Sequence, residues 1–157
     1  MQIQQKNDFC EKISIAPMLD WTDRHFRYFL RFITRRAVFY TEMVVAPAIV
    51  LGQRERLLAY SPVEQPLILQ VGGSDPRLMA QCAKIAHEYG FSGININAGC
   101  PSSRVQAGRF GAVLMKTPDV VAACVEAMRA AAPLPVSVKT RISLVDVGGD
   151  GFEQLFL

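Results

Sequence analysis

A parallel α/β sheet of the (β/α)-barrel kind is what this sequence predicts, on three observations. Short apolar runs alternate with longer segments of helical periodicity. The runs SIAPM, LILQV and VSVK are apolar almost throughout, as strands covered on both faces are. Polar residues (Asp20, Glu42, Gln70, Asn97, Cys100, Lys139 and Arg141) gather where the runs end, and folds of this class keep their sites at strand C-terminal ends. No GxGxxG follows the first run, which argues against a dinucleotide fold of Rossmann type.

Taken in order, residues 13–18 read as a strand and residues 22–36 as a helix with Phe26, Phe29, Leu30 and Ile33 on its apolar face. Residues 38–45 are a second strand, followed by a proline-interrupted segment and a helix over 54–59. Residues 67–71 form a third strand, ended by Gly72 and Gly73. Ser74 or Asp75 then caps a helix with Pro76 just inside it. Its stripe is Leu78, Cys82, Ile85 and Tyr89, and Gly90 stops it. Residues 93–97 are a fourth strand, Thr117 and Pro118 open a helix through Val121, Cys124, Val125 and Met128, and residues 136–140 are a fifth strand. Eight strand–helix units need about 250 residues, so five strands in 157 residues read as the front of a barrel, cut shortly after its fifth strand.

Half of the residues are hydrophobic and a fifth are charged, a globular and not a disordered composition. The net charge of +3 does not by itself demand a nucleic-acid partner. No apolar run approaches a membrane span, and the leading MQIQQKNDFCEK lacks the apolar core of a signal peptide, so a cytoplasmic location is expected. Cys10, Cys82, Cys100 and Cys124 form no CxxC pair and have no histidine cluster nearby, which argues against zinc and disulfides. Cys82 and Cys124 read as small buried hydrophobes. His25 and His87 lack ligand spacing, and no metal is expected.

The stretch NINAGCPSSRVQAGRFGAVLM, residues 95–115, puts Cys100 where a buried strand gives way to a basic, glycine-bearing loop. A thiol there is held on one side and open on the other. Free thiols have a pKa of roughly 8.5 and are mostly protonated at neutral pH, as a proton donor must be. Asn95 and Asn97 share one strand face, since side chains alternate with period two. Asn97 lies nearer the cysteine and offers both a donor and an acceptor; Asn95 reads equally as a satisfied polar residue inside the barrel. Gln70 offers the same pair of groups at the end of strand three. Lys139 sits in an apolar run, where burial without a partner is costly; a snorkelling lysine on a sheet edge is the plain alternative. Arg104 and Arg109, with Gly108 and Gly111 as hinges, suit a lid over a phosphate-bearing substrate; solvated arginines on a surface loop are the plain alternative. Arg24, Arg27, Arg31, Arg35 and Arg36 read either as a phosphate-attracting face or as a solvated helix face.

Together with APML (16–19), LQVGG (69–73) and VKTR (138–141), that stretch resembles the tRNA-dihydrouridine synthases, FMN enzymes built on a TIM (β/α)8 barrel. The likeness runs in order from about residue 13 to residue 142, and TEMVVAPAIVLGQRERLLAYSP (41–62) is most similar to the A-type subfamily, which reduces uridines 20 and 20a of the tRNA D-loop. The resemblance implies saturation of the uracil C5–C6 bond, with FMN supplying the hydride, NADPH as reductant and Cys100 as proton donor. It also implies Asn97 beside the RNA, Lys139 and Gln70 toward the flavin ring, and Pro17, Met18 and Leu19 lining that ring. Arg104 and Arg109 are expected to meet tRNA. Arg141 either adds charge near flavin or RNA or is an ordinary salt-bridged arginine. Thr140 departs from the histidine usual in A-type members.

On this reading residues 1–157 are the N-terminal portion of an FMN-binding catalytic domain, a partial TIM barrel. Three further strands, with a flavin-contacting histidine and phosphate-gripping glycine loops, and a helical tRNA-binding domain lie outside it. An open sheet edge then calls for a complementary C-terminal fragment. The alternatives are an inactive truncated remnant and an FMN barrel reductase acting on free pyrimidines.

Overall fold

The computed structural model describes residues 13–142; Cys10 and the run that follows Ile142 lie outside the described residues. Strands β1 (Ser14–Ile15), β2 (Val38–Val45), β3 (Leu67–Gly72), β4 (Gly93–Asn97) and β5 (Val136–Lys139) form one parallel sheet in the order β1-β2-β3-β4-β5. Strand order that follows chain order throughout belongs to a barrel, whereas a doubly wound sheet reverses at a switch point. The sheet is the partial α/β barrel that the sequence predicts.

Position in that sheet decides burial. β3 is the central strand, and all six of its residues are buried, as the LILQV pattern requires. The other two apolar runs behave differently. SIAPM contributes a strand of two residues and not the six expected: among the described residues β1 has β2 on one side only, and Pro17 has no N–H to extend a ladder. VSVK forms β5, but among the described residues it pairs with β4 alone, and Ser137, Val138 and Lys139 are exposed. Lys139 is therefore exposed on an edge strand, the second of its two readings, and not buried in an apolar run.

Helix α1 (Arg24–Leu30) starts as Asp23 Oδ1 accepts the Phe26 N–H at 2.8 Å and stops well short of residue 36. Its expected apolar face is split: Leu30 packs on the core and Phe26 is half-buried, but Phe29 and Ile33 are 61% and 71% exposed, while Arg27 and Arg31 are 5% and 6% exposed. Arg27 Nε lies 2.6 Å from Glu64 Oε2, and its Nη1 donates to the Thr22 carbonyl at 2.6 Å. Arg31 donates to the carbonyls of Ala37 (2.8 Å), Glu64 (2.7 Å) and Pro66 (3.1 Å) while stacking 3.7 Å over the Phe39 ring. A guanidinium carries five donors in a planar fork, enough to satisfy the carbonyls of the segments entering β2 and β3. This corrects the reading of the five arginines as one solvated or phosphate-attracting face; only Arg24, Arg35 and Arg36 are exposed.

Between β2 and β3 run α2 (Ala46–Leu51), α3 (Arg54–Leu57) and a 3₁₀ turn at Pro62–Glu64. The sequence pattern missed α2 because Pro47 reads as a breaker, yet it sits in the first turn, where a missing N–H costs nothing. Helix α4 (Pro76–Glu88) fits its expected start and stop. Asp75 accepts the Arg77 N–H at 2.8 Å, and Gly90 ends the segment at φ +76°. Its buried stripe of Met79, Cys82, Ala83, Ile85 and Ala86 packs on α6 (Pro118–Ala131), which buries Cys124 and Met128. Among the described residues no helix is long and apolar enough to cross a membrane.

Two predictions follow from this packing. Glu64→Ala strands the Arg27 guanidinium in the interior and is expected to cost about 3–5 kcal/mol in urea unfolding. Burial pushes the Cys82 thiol up to about 12 and the Cys124 thiol up to about 11, from an ordinary 9.0. Their contribution to stability is complete below the unfolded value and is lost as pH rises through the folded ones. Cys124→Ala should therefore flatten the alkaline decline in unfolding free energy by up to about 1.4 kcal/mol per pH unit above pH 9.

Candidate active site

Pairing register sets the site. Gln70 lies opposite Asn95, Asn95 opposite Ser137, and Asn97 opposite Lys139. Because side chains alternate along a strand, these five residues occupy two adjacent rows of one sheet face at the C-terminal ends of β3, β4 and β5. Asn97 Oδ1 accepts the backbone N–H groups of Gly99 at 3.1 Å and Cys100 at 2.9 Å, and its Nδ2 donates to Gln70 Oε1 at 2.9 Å. Gln70 Nε2 donates to Asn95 Oδ1 at 2.7 Å, and Asn95 Nδ2 donates to Ser137 Oγ at 2.9 Å. Asn95 is 2% exposed with its oxygen and its nitrogen each bonded, the satisfied interior residue that was one of its two readings.

Cys100 is half-buried, and its thiol donates to Ser102 Oγ at 3.6 Å. The Cys100 carbonyl accepts the Ala112 N–H at 2.9 Å. The segment after Cys100 is not an open loop: it holds helix α5 (Ser103–Ala107) and a 3₁₀ turn at Gly111–Lys116. Its glycines are places of close approach. Gly111 has φ +72°, and a Cβ there would come 2.4 Å from Val105 Cγ1 and 2.6 Å from the Cys100 oxygen. The Phe110 ring lies so close to Gly72, at the end of β3, that a Cβ on Gly72 would meet it at 2.8 Å. These glycines let the segment close tightly against Cys100 and β3.

The other expected residues fall as follows. Pro17, Met18 and Leu19 lie just past β1, at the same end of the sheet but near its far edge; Met18 and Leu19 are 42% and 64% exposed. The Met18 N–H donates to Thr22 Oγ1 at 3.0 Å. Arg109 is exposed with φ +56°. Arg104 lies on α5, and its side chain is outside the described part of the structure. Arg141 is exposed beyond β5. A cavity of about 450 Å³ lined by Tyr28, Arg31, Phe32, Arg35, Val63 and Gln65 opens beside the residues entering β3, at the opposite end of the sheet from Cys100. Among the described residues no cluster of three His, Cys, Asp or Glu side chains forms a metal site.

Sequence reasoning missed Ser137, Phe110 and the exposed Trp21 (69%). Ser137 carries a faint signal, a hydroxyl two residues before Lys139 and so on the same strand face. Chemically, the arrangement offers a thiol at Cys100 and donors at Asn97 and Gln70. Among the described residues, one Nδ2 hydrogen of Asn97 and one Nε2 hydrogen of Gln70 have no acceptor. The Lys139 ammonium is exposed beside them.

Gly111→Ala is expected to break the Ala112 N–H to Cys100 carbonyl bond and to cost about 1–3 kcal/mol. Urea unfolding measures the cost, and faster alkylation of Cys100 by iodoacetamide would report the loosened segment.

The family model described as "Dihydrouridine synthase (Dus)" matches residues 14–153. The tRNA-dihydrouridine(20/20a) synthase of Synechocystis sp. is 58% identical over 132 residues, 84% of this chain and 40% of the relative. Those of Yersinia pestis (56% over 145 residues, 92% and 41%) and Vibrio cholerae (56% over 144 residues, 92% and 43%) are similar to it in the same way. The chain spans about two fifths of the length of these curated relatives. With the sheet, the Gln70–Asn97 rows and the Cys100 segment all inside the matched region, the chain belongs to the dihydrouridine synthase family, among relatives of the 20/20a type.

Proposed function

We propose that this chain is the N-terminal part of an FMN-dependent enzyme that reduces uridine to 5,6-dihydrouridine at positions 20 and 20a of the tRNA D-loop, with NADPH as electron source. The observation that carries the reading is the half-buried Cys100 thiol, held through its own backbone N–H beside a face bearing Gln70, Asn97 and Lys139. The relatives, as tRNA-dihydrouridine(20/20a) synthases, support the same substrate.

The residues present fit a flavin. The Lys139 ammonium is exposed at the strand ends and the exposed Met18 and Leu19 suit an apolar ring face, while Gln70, 1% exposed, keeps one N–H and one lone pair that a ring would reach only by lying directly against β3. With Pro17, these would hold it. Reduced and bound, FMN supplies the hydride for C6 of the uracil. Cys100 delivers the proton to C5: its S–H bond breaks as the C5–H bond forms. The Ser102 hydroxyl, which accepts from the thiol, can rotate to donate to the resulting thiolate. Asn97 contributes a donor only, since its oxygen is committed to Gly99 and Cys100. A lone N–H donor suits uracil O4 and rejects the cytosine amino group at the same place. Arg109, with Arg104 on α5, supplies positive charge for tRNA phosphates.

The exposed Val138 and Ile142 beside β5 support a further polypeptide segment, in the same or a separate chain, that closes the barrel. Cytoplasm is the compartment that tRNA as substrate implies.

The test is a chimera in which residues 1–142 replace the matching part of the Synechocystis relative. It should form dihydrouridine in tRNA and leave free uracil untouched. Cys100→Ala should slow that reaction by about 10²–10⁴-fold. An undiminished rate would remove Cys100 from the chemistry, and reduction of free uracil would favour a free-pyrimidine reductase.

A further inference from the structure

The site contains an unbroken chain of side-chain amides whose direction is fixed from one end. Backbone N–H groups only donate, so the Asn97 atom that meets Gly99 and Cys100 must be its oxygen. The other end of Asn97 is then its NH₂, which must meet the oxygen of Gln70. By the same step Gln70 offers NH₂ to the Asn95 oxygen, and Asn95 offers NH₂ to Ser137 Oγ. No amide in the series can flip without setting two donors or two acceptors against each other. Gln70 and Asn95 are 1% and 2% exposed, where such chains polarise one another and a broken link is costly. The Gln70 backbone is pinned as well, its N–H donating to Thr41 Oγ1 at 3.0 Å.

We propose that Asn95 and Ser137 are positioning residues for the Cys100 thiol, acting through Gln70 and Asn97 on the Cys100 N–H. Neither side chain needs to touch substrate. Ser137 anchors the far end of the chain from the neighbouring strand, and Asn95 links it to Gln70. The role rests on Cys100 being the proton donor proposed above. It also makes β5, an edge strand in this sheet, a determinant of thiol geometry on β4.

The test reads Cys100 directly, in the full 157-residue chain carrying Cys10→Ser. Cys82 and Cys124 are buried with raised thiol pKa values, so slow labelling at those two sites reports that the fold stays closed. Rates of iodoacetamide alkylation at each cysteine are followed by mass spectrometry. Ser137→Ala and Asn95→Leu should speed Cys100 labelling by about threefold or more with Cys82 and Cys124 still protected. Ser137→Thr, which keeps the hydroxyl, should restore the parent rate. Because Ser137 is exposed at the edge, Ser137→Ala remains informative even if Asn95→Leu does not fold. Cys100 labelling unchanged in Ser137→Ala, while Asn97→Ala accelerates it, would overturn the proposal and leave Asn97 acting alone. So would acceleration at all three cysteines together, which is general opening, or a Ser137→Thr variant that behaves like Ser137→Ala. The assay needs neither flavin nor tRNA. A failed relay therefore leaves the reductase reading standing, and an inactive chimera with an intact relay sinks the reductase reading alone.

Discussion

The hydrogen bonds from Gly99 N–H and Cys100 N–H to the Asn97 side-chain oxygen govern the site. They tie the first residues after β4 back to the strand, as a short polar side chain does when it satisfies backbone donors two and three residues on. That fixes where the chain turns and hence where the thiol stands. It also consumes the acceptor of Asn97, so what this residue presents outward is a donor. Everything further along the face, from Gln70 to Ser137, takes its orientation from that choice.

The sheet supports this arrangement unevenly. β3 is covered on both faces and carries Gln70 on a fully buried strand, so the middle of the amide chain is held rigidly. β5 is exposed and ends the chain at Ser137. At the other end of the strands, Arg31 binds the carbonyls entering β2 and β3 and stacks on Phe39. A charged side chain there does what a hydrophobic one could not, since unsatisfied buried carbonyls cost more than the guanidinium's desolvation when every donor finds a partner. Phe110 against Gly72 then joins the Cys100 segment to the same central strand.

Much of this was legible beforehand. Alternation, capping and chain order gave the barrel class, α4 with its Asp75 cap, and β4 leading to Cys100. Gln70, Asn97 and Lys139 were placed at strand ends and do share one face, and Cys100 follows β4 with its N–H bonded to Asn97. Burial was not legible wherever it depends on neighbours. Apolar runs of equal quality became a central strand and two edges, and the five arginines near α1 split into buried and exposed according to which carbonyls lay within reach. For the glycines after Cys100 the sequence records the missing Cβ but not the Val105, Phe110 and Cys100 atoms that crowd its place. Ser137 was only faintly marked for a similar reason: its place two residues before Lys139 gives its strand face but not the asparagine across the ladder.

Amide hydrogen exchange at Gly99 and Cys100 tests the central claim most directly. With Asn97 in place both N–H groups should exchange slowly, and in Asn97→Ala both should approach the rates of an open loop while β3 amides stay protected. Equal exchange at Gly99 and Cys100 with and without the Asn97 amide would mean that something else holds the thiol where it stands.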